Sequence, residues 1–352
     1  MQRCVPCTGV DERSIYTADV AGGDRMTTRR EVLIACAGAL AAPVRALAQK
    51  QGKVWRIGIL MEAEPTDYAW TLEGFKLGMH ELGYVDGRDY VLEQRAALND
   101  TSRLHALAAE LIALKVDLIV ATGTPSAMAA RDATREIPIL ITTVGNPVGS
   151  GLAVSLRRPG GNVTGLTQIG SELVSKRLDL LRQIVPGLRR VGFLHDPDNA
   201  STVLSYKQLQ SDCARLGYTL IAVPVHKRED FAAAFSALQR DKAQGVVVSN
   251  VSLFRTWRTS IIEQAAKHRL PAVYGDLSWS IAGGLVSYFA NAVEAYRRAA
   301  TYADKIFKGA KPGELPIQQP TKFELVINLK TAKALGLKLP PSVMVQATRV
   351  IE

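Results

Sequence analysis

Short apolar runs alternate with longer amphipathic stretches from residue 53 to the end of the chain. The run Leu118–Ala121 has the length and composition of a buried strand. Between such runs, apolar residues recur every three or four positions, the spacing of one helix face. The clearest case is the stretch 171–185, where the aligned residues are Leu173, Val174, Leu178, Leu181 and Val185. Strands that alternate with helices predict an α/β fold with parallel sheets.

The alternating pattern occurs twice, with a break at Pro186-Gly187. We therefore predict two doubly wound parallel-sheet lobes joined by a hinge. The first lobe is expected to comprise residues 53–167 and 288–315, and the second residues 168–287 and 316–352.

The N-terminal segment has the pattern of an export signal. Twin arginines at 29–30 precede an apolar stretch, 32–44, and an A-x-A sequence ends at Ala48. A segment of this kind is too short to span a membrane and is removed on export. We predict a twin-arginine signal peptide over 26–48, cleaved after Ala48, and a periplasmic location. Residues 1–25 are interpreted as an upstream extension. The alternative is a lipid anchor at Cys36, which leaves almost no apolar region after the arginines.

Charge and cysteine content narrow the function classes. The formal net charge is +10, but the basic residues are scattered pairs, such as Arg157-Arg158, rather than a run or stripe. This distribution argues against a nucleic-acid partner. Export removes three of the four cysteines and leaves Cys213, so no internal disulfide is expected.

The motifs of common enzyme classes are missing from the sequence. It has no G-x-S-x-G elbow, P-loop or G-x-G-x-x-G segment, and its five histidines are widely spaced. The turn His195–Asn199 carries a histidine and two aspartates, which are residue types found in metal sites. Strand-end turns favour aspartate for backbone reasons alone, so this turn is not interpreted as a metal site. We predict no catalytic residue, no metal and no cofactor. An α/β enzyme with an unmarked site is kept as an alternative.

Small and polar residues follow several strands in both halves. Ligands of open α/β sheets bind beyond the carboxyl ends of the strands, so these positions are candidate ligand contacts. Thr124-Pro125-Ser126 fits the start of a helix, with Thr124 as N-cap, and its free amides predict an anchor for a carboxylate or phosphate. The candidate ligand-binding residues are Met61, Glu62, Thr122, Gly123, Thr124, Pro125, Ser126, Gly145, Asn146, Asp196, Asn250, Tyr274 and Asp276.

Three segments of the chain carry a family resemblance. They are residues 145–152 (GNPVGSGL), 159–165 (PGGNVTG) and 323–328 (FELVIN). With the flanking sequence from 53 to 350, they resemble the substrate-binding proteins of ABC importers, in the branch that includes tryptophan- and tyrosine-binding lipoproteins. The resemblance implies a type I periplasmic-binding fold, in which two lobes close on a ligand.

The same resemblance implies a function without catalysis. The expected role is delivery of a small organic ligand, an amino acid or other small carboxylate, by a monomer to an ABC permease in the inner membrane. Members usually have Asp-Pro where this chain has Asn146-Pro147, so a contact between that position and a ligand ammonium group would lose its charge. A ligand sensor that presents the same fold to a membrane receptor is the alternative.

Overall fold

The computed structural model describes residues 52–352. The predicted extension 1–25, the signal segment 26–48 and Cys36 lie outside the described residues. Across the described range, no helix combines the length and the apolar character that crossing a membrane requires.

The strands lie at nearly all the places where short apolar runs predict them. In chain order they are β1 Trp55–Met61, β2 Tyr90–Ala96, β3 Leu118–Ala121, β4 Ile139–Val144, β5 Val163–Thr167, β6 Arg190–His195, β7 Thr219–Pro224, β8 Gly245–Val248, β9 Ala272–Tyr274, β10 Val286–Ala290, β11 Phe323–Asn328 and β12 Arg349–Ile351.

Helices connect most of these strands. They are α1 Pro65–Glu81, α2 Leu104–Ala113, α3 Thr124–Ala133, α4 Gly170–Ile184, α5 Ala200–Leu216, α6 Asp230–Arg240, α7 Ser252–Thr256, α8 Arg258–Lys267, α9 Leu277–Ile281, α10 Ala292–Phe307, α11 Leu329–Ala334 and α12 Pro341–Gln346. Short 3-10 turns add Thr101–Arg103 and Pro312–Glu314.

The first sheet has the strand order β2-β1-β3-β4-β5, and its pairs are parallel. Apolar residues of β1, β3 and β4 are fully buried between the helices on the two faces. The connections leave β1 and β3 in opposite directions, so a crevice opens between the carboxyl ends of these two strands. Glu62 follows β1 and Gly123 follows β3, which places both at this crevice.

The second sheet has the order β12-β11-β10-β9-β8-β6-β7. The predicted α/β fold with two parallel-sheet lobes is confirmed, with one departure. Strands β10 and β11 pair antiparallel, with Ala290 opposite Phe323. The chain leaves the second lobe where β10 ends and returns to the same edge, so β11 begins beside that end. In this sheet the crevice lies between the ends of β6 and β8.

Three segments connect the lobes, between β5 and α4, between β10 and α10, and between Gln318 and β11. Helix α10 packs closely on α1, because Gly74 lies against the backbone of Val293.

The predicted lobe boundaries differ from the sheet pairings in two places. Strand β10 lies wholly in the second sheet, and the Gln318 amide bonds Gly165 of the first lobe. Both predicted divisions therefore come too early, because local apolar patterns do not show strand partners.

Candidate functional site

A small cavity lies between the two lobes, where the crevices of both sheets face each other. We call it the interlobe cavity; its volume is about 50 Å³. Strand-end and helix-start residues of both lobes form its wall. They are Glu62, Gly123, Thr124, Thr143, Gly145, Gln168, Gly170, Leu173, Val174, Arg177, Phe193, Asn199, Ser201, Thr202, Ser205, Ser249, Asn250, Val251, Ser252 and Arg255.

Direct contacts between the lobes close the cavity on one side. The hydroxyls of Tyr68 and Ser252 lie 2.7 Å apart, and Thr256 donates to Asp67 Oδ2 at 2.9 Å. The Arg255 guanidinium, from the second lobe, lies 4.9 Å from the centre of the Tyr68 ring. The structure therefore has the lobes in contact beside the cavity.

Glu62 is the acidic residue of the interlobe cavity. It is 5% exposed, and its Oε1 atom is buried with no hydrogen-bond partner in the part of the chain that the structure describes. Burial raises the pKa of Glu62 to about 7, while Ser252, Arg255 and the Ser126 amide act in the opposite direction. A buried oxygen without a partner is costly, so this carboxylate is set to accept a hydrogen bond from a ligand.

Helix α3 begins beside this carboxylate. Its N-cap is Gly123, not Thr124 as predicted, because Gly123 adopts a φ of +85° and turns the chain into the helix. Glu62 lies against Gly123, and the Ser126 amide lowers the pKa of Glu62. The first turn of α3 thus faces a carboxylate of the protein itself, with the favourable sign for a helix N-terminus.

Arg177 contributes a buried cation to the opposite wall. It comes from the apolar face of α4 and is 3% exposed. Its Nε donates to the Tyr288 carbonyl at 3.0 Å. Burial lowers the pKa of Arg177 to about 10, which still leaves the guanidinium charged at neutral pH. The Arg177 side chain fits here because residue 275 is a glycine. A Cβ at that position would lie 2.7 Å from Arg177 Nη2.

Polar side chains near the hinge complete the wall. Asn250 Nδ2 donates to Gln168 Oε1 at 3.3 Å, which joins the end of β8 to the segment that crosses between the lobes. Arg255 lies beside the Tyr68 ring. Its buried Nε and Nη2 atoms have no hydrogen-bond partner among residues 52–352. The cavity therefore offers several donors and one carboxylate to a small ligand.

Of the candidate residues from the sequence, five line the interlobe cavity: Glu62, Gly123, Thr124, Gly145 and Asn250. Pro125 and Asp196 line a small neighbouring cavity that also touches Glu62. Asp196 accepts a hydrogen bond from the Asp198 amide at 3.0 Å, which shapes its turn.

The remaining candidates lie elsewhere. Asn146 lines an open surface cavity, and its Oδ1 accepts from the Gly149 amide at 2.8 Å, so it shapes its loop. Tyr274 stacks on Trp279 in the core, with ring centres 4.6 Å apart, and Asp276 caps α9 through the Ser278 amide. The others are buried outside the cavity lining: Met61, Thr122 and Ser126.

Both cavity arginines were absent from the sequence-based candidates. Arg177 had a signal, because it falls among Leu173, Val174, Leu178 and Leu181 on the apolar face of an amphipathic helix. A charged residue on such a face needs a special environment. The sequence carries no comparable signal for Arg255, since its helix α7 has only 5 residues and therefore no readable periodicity.

No group of three or more His, Cys, Asp or Glu side chains in residues 52–352 is placed to hold a metal ion. A larger cavity of about 810 Å³, the hinge cavity, lies behind the lobes between Thr167, Asn291 and Lys322. The hinge cavity lies away from the sheet crevices, whereas the interlobe cavity lies at those crevices, where ligands of this architecture bind.

Comparison with known proteins agrees with this architecture. The family model described as "ABC transporter substrate binding protein" matches residues 57–351. A tyrosine-binding protein of Clostridioides difficile is 26% identical over 282 residues, 80% of this chain and 81% of that protein.

Solved structures give the same result for the fold. A conserved domain protein of Vibrio cholerae is 26% identical, with a TM-score of 0.80 over 85% of this chain and all of that one. An ABC domain from Streptococcus pneumoniae, in complex with L-Trp, is 22% identical, with a TM-score of 0.79 over the same shares. The family predicted from the sequence is thereby confirmed: the chain belongs to the substrate-binding proteins of ABC transporters, with a type I periplasmic-binding fold.

Proposed function

We propose that this protein is exported to the periplasm, binds a small organic ligand with a carboxylate group in the interlobe cavity and delivers it to an ABC permease. The ligand class is an amino acid or another small carboxylate. The observation that carries the proposal is the unpartnered Oε1 of Glu62, which lies in a cavity to which both lobes contribute and can accept a hydrogen bond from the amino group of an amino acid. The similarity to a tyrosine-binding protein supports an amino-acid ligand.

Lobe closure is the whole mechanism in this proposal. A ligand that contacts both lobes binds the closed state more tightly and shifts the open–closed equilibrium towards it. The bonds from Tyr68 to Ser252 and from Thr256 to Asp67 form as the lobes meet, and they add to the preference for closure. The closed protein is the form that the permease recognises, and the bound ligand leaves chemically unchanged.

The residues of the two lobes have different roles. Glu62 accepts a hydrogen bond from an ammonium, amide or hydroxyl group of the ligand. Thr124 and Gly145 contact the ligand from the first lobe, and Asn250 contacts it from the second. The predicted anion anchor at Thr124 and Ser126 becomes less suitable for a ligand carboxylate, because Glu62 already lies at the start of α3.

A thermal-shift screen of the mature chain, residues 49–352, tests the proposal. The compounds are amino acids, aromatic acids and small aliphatic carboxylates. A ligand at 100 times its dissociation constant should stabilise the fold by about 2.7 kcal/mol, a clear shift in Tm. The Glu62→Gln variant should bind the same compound more weakly, and the exposed Glu64→Gln variant should bind it normally. The proposal fails if none of these compounds stabilises the chain, or if NMR shows the bound compound to be converted.

Export has its own test. N-terminal sequencing of the protein recovered from a periplasmic fraction should give Gln49 as the first residue. A lipidated Cys36, or retention of the protein in the cytoplasm, would replace this part of the proposal.

A further inference from the structure

We propose that the interlobe cavity takes an α-amino acid as a zwitterion, with the ligand carboxylate on the guanidinium group of Arg255 and the ligand ammonium on Glu62. This inference rests on the proposed function, since it takes the interlobe cavity as the ligand site. It deepens that function by naming the ligand class and the residue that recognises the carboxylate.

Both lobes contribute buried polar atoms that find no hydrogen-bond partner within residues 52–352, and these atoms differ in kind. In the first lobe's part of the cavity wall the atom is Glu62 Oε1, an acceptor. In the second lobe's part the atoms are Ser249 Oγ and the Nε and Nη2 of Arg255, which donate. Buried polar groups without partners are unfavourable. A ligand that satisfies both sides therefore presents a donor to the first lobe and an acceptor to the second.

The two unpartnered nitrogens of Arg255 form one edge of its guanidinium group. The N–H bonds of Nε and Nη2 run side by side and match the two oxygens of a carboxylate. The same chain uses this edge elsewhere, because Nε and Nη2 of Arg88 both bond Asp89, and those of Arg131 both bond Asp132. At Arg255 the same edge is buried, and no acceptor of the described residues occupies it. The ligand group that fits this edge is a carboxylate.

Arg255 has counter-charges but lacks a hydrogen-bond acceptor. Asp276 and Asp67 act on it electrostatically. The Asp276 carboxylate caps α9, Asp67 accepts from Thr256, and neither bonds the Nε or Nη2 of Arg255. A zwitterion brings an acceptor to this edge and a donor to Glu62 without adding net charge, so it suits a guanidinium whose charge is already balanced.

Arg177, the other arginine of the cavity wall, offers a less complete edge. Its Nε already donates to the Tyr288 carbonyl at 3.0 Å, so one of the two paired donors is in use. A carboxylate bound through Nε and Nη2 of Arg177 would have to displace that carbonyl. Arg255 therefore fits the ligand carboxylate better than Arg177 does.

The position of Arg255 links carboxylate recognition to lobe closure. Arg255 belongs to the second lobe and lies 4.9 Å from the centre of the Tyr68 ring in the first lobe. It acts on Glu62 electrostatically, but Glu62 Oε1 makes no hydrogen bond to it. An α-amino acid carries its ammonium and carboxylate groups on one carbon atom, so it connects Glu62 to Arg255 only when the lobes have met.

The experiment begins with a thermal-shift screen of the standard L-amino acids, with acetate, pyruvate, benzoate and succinate in parallel. Isothermal titration calorimetry then compares the amino acid that stabilises the mature chain most with its α-carboxamide, on wild type, Arg255→Met and Arg255→Lys. The control variant is Arg182→Met, which removes a positive charge from an exposed position of the second lobe.

Wild type and Arg182→Met should bind the amino acid about 10- to 100-fold more tightly than its α-carboxamide, because the amide loses the charge and one of the two acceptor oxygens. In Arg255→Met the affinity for the amino acid should fall by a similar factor, and its preference over the amide should disappear. A general loss of structure would weaken both compounds alike and leave that preference intact.

Each other outcome overturns a defined part. If wild type binds the amino acid and its amide equally, or if Arg255→Met keeps the preference, Arg255 does not recognise the carboxylate. If only carboxylates without an amino group stabilise wild type, the inference fails while the proposed function stands. If no compound of either class stabilises wild type, both fail. Should Arg255→Met not fold, Arg255→Lys keeps the charge but loses the paired edge, and full affinity in that variant contradicts the assignment.

Discussion

Glu62 Oε1 occupies the space that a Cβ atom on Gly123 would need. The two residues follow β1 and β3, the neighbouring strands whose connections diverge, so the crevice of the first sheet brings them together. Gly123 also has a φ of +85°, which side chains of L-residues rarely adopt. The glycine thus serves both the turn into α3 and the placement of the cavity carboxylate.

Gly123→Ala should destabilise the protein through both effects. Gly83→Ala is the matched control, because Gly83 has a φ of +88° with open space where the Cβ would lie. The control loses only backbone freedom, about 1 kcal/mol. Gly123→Ala should cost about 1–3 kcal/mol more in denaturant unfolding, the range for overpacking a filled site.

Adding Glu62→Ala to Gly123→Ala should recover most of this excess, because the overlap is removed. A double-mutant cycle measures the coupling directly. Equal losses in Gly83→Ala and Gly123→Ala, or no coupling in the cycle, would contradict the contact.

The stability of the protein should fall between pH 5 and pH 8 because of Glu62. Its pKa is raised from 4.5 to about 7 by burial, so the folded state holds a proton that the unfolded state has released. The Glu62 proton contributes roughly 3 kcal/mol at most to the free energy of unfolding. This contribution is fully present below pH 4.5 and is lost as the pH rises through 7.

Glu62→Gln should flatten the pH dependence of the unfolding free energy, since glutamine does not titrate. Glu64→Gln changes an exposed neighbour in the same segment and should leave the wild-type curve intact. A Glu62→Gln curve that still falls as steeply as wild type would assign the effect to other groups.

Tyr68→Phe should weaken ligand binding without altering the cavity lining. Its hydroxyl contacts Ser252 of the other lobe at 2.7 Å, and a hydrogen bond of this kind contributes about 0.5–1.5 kcal/mol. Because the bond exists only in the closed state, its loss should lower the affinity of the ligand found in the screen by roughly 2- to 10-fold.

Tyr84→Phe is the control for this change, because Tyr84 bonds Asp304 within the first lobe at 3.0 Å. That variant should lose stability and keep its affinity in isothermal titration calorimetry. If the two variants lose affinity equally, the contact between the lobes does not contribute to closure.

Much of the fold followed from the sequence because strands and helices in this chain carry local patterns. Leu118–Ala121 is fully apolar, and α4 shows its buried face in the spacing of its leucines. Strand β12, Arg349–Ile351, lacks an apolar run and was not predicted. The antiparallel pairing of β10 with β11 was also not predicted, since it depends on where the chain re-enters the second lobe and not on either strand alone.

The site was less predictable than the fold. Strand-end positions such as Glu62 and Asn250 were identifiable because the architecture places ligands there. The carboxylate of Glu62 at the start of α3 could not be foreseen, since Glu62 and Gly123 are 61 positions apart and meet only through the pairing of β1 with β3. Tyr274 ends β9 and Asp276 follows it, so their positions resemble those of Glu62 and Asn250. Their side chains are not free for a ligand, because Tyr274 packs on Trp279 and Asp276 caps α9.

The most direct test of the account is a crystal structure of the mature chain with the strongest stabiliser from the screen. We expect density for that compound in the interlobe cavity, with a donor group on Glu62 and the lobes in contact at Tyr68 and Ser252. Density in the hinge cavity, or a bound compound that makes no hydrogen bond to Glu62, would contradict the proposed site.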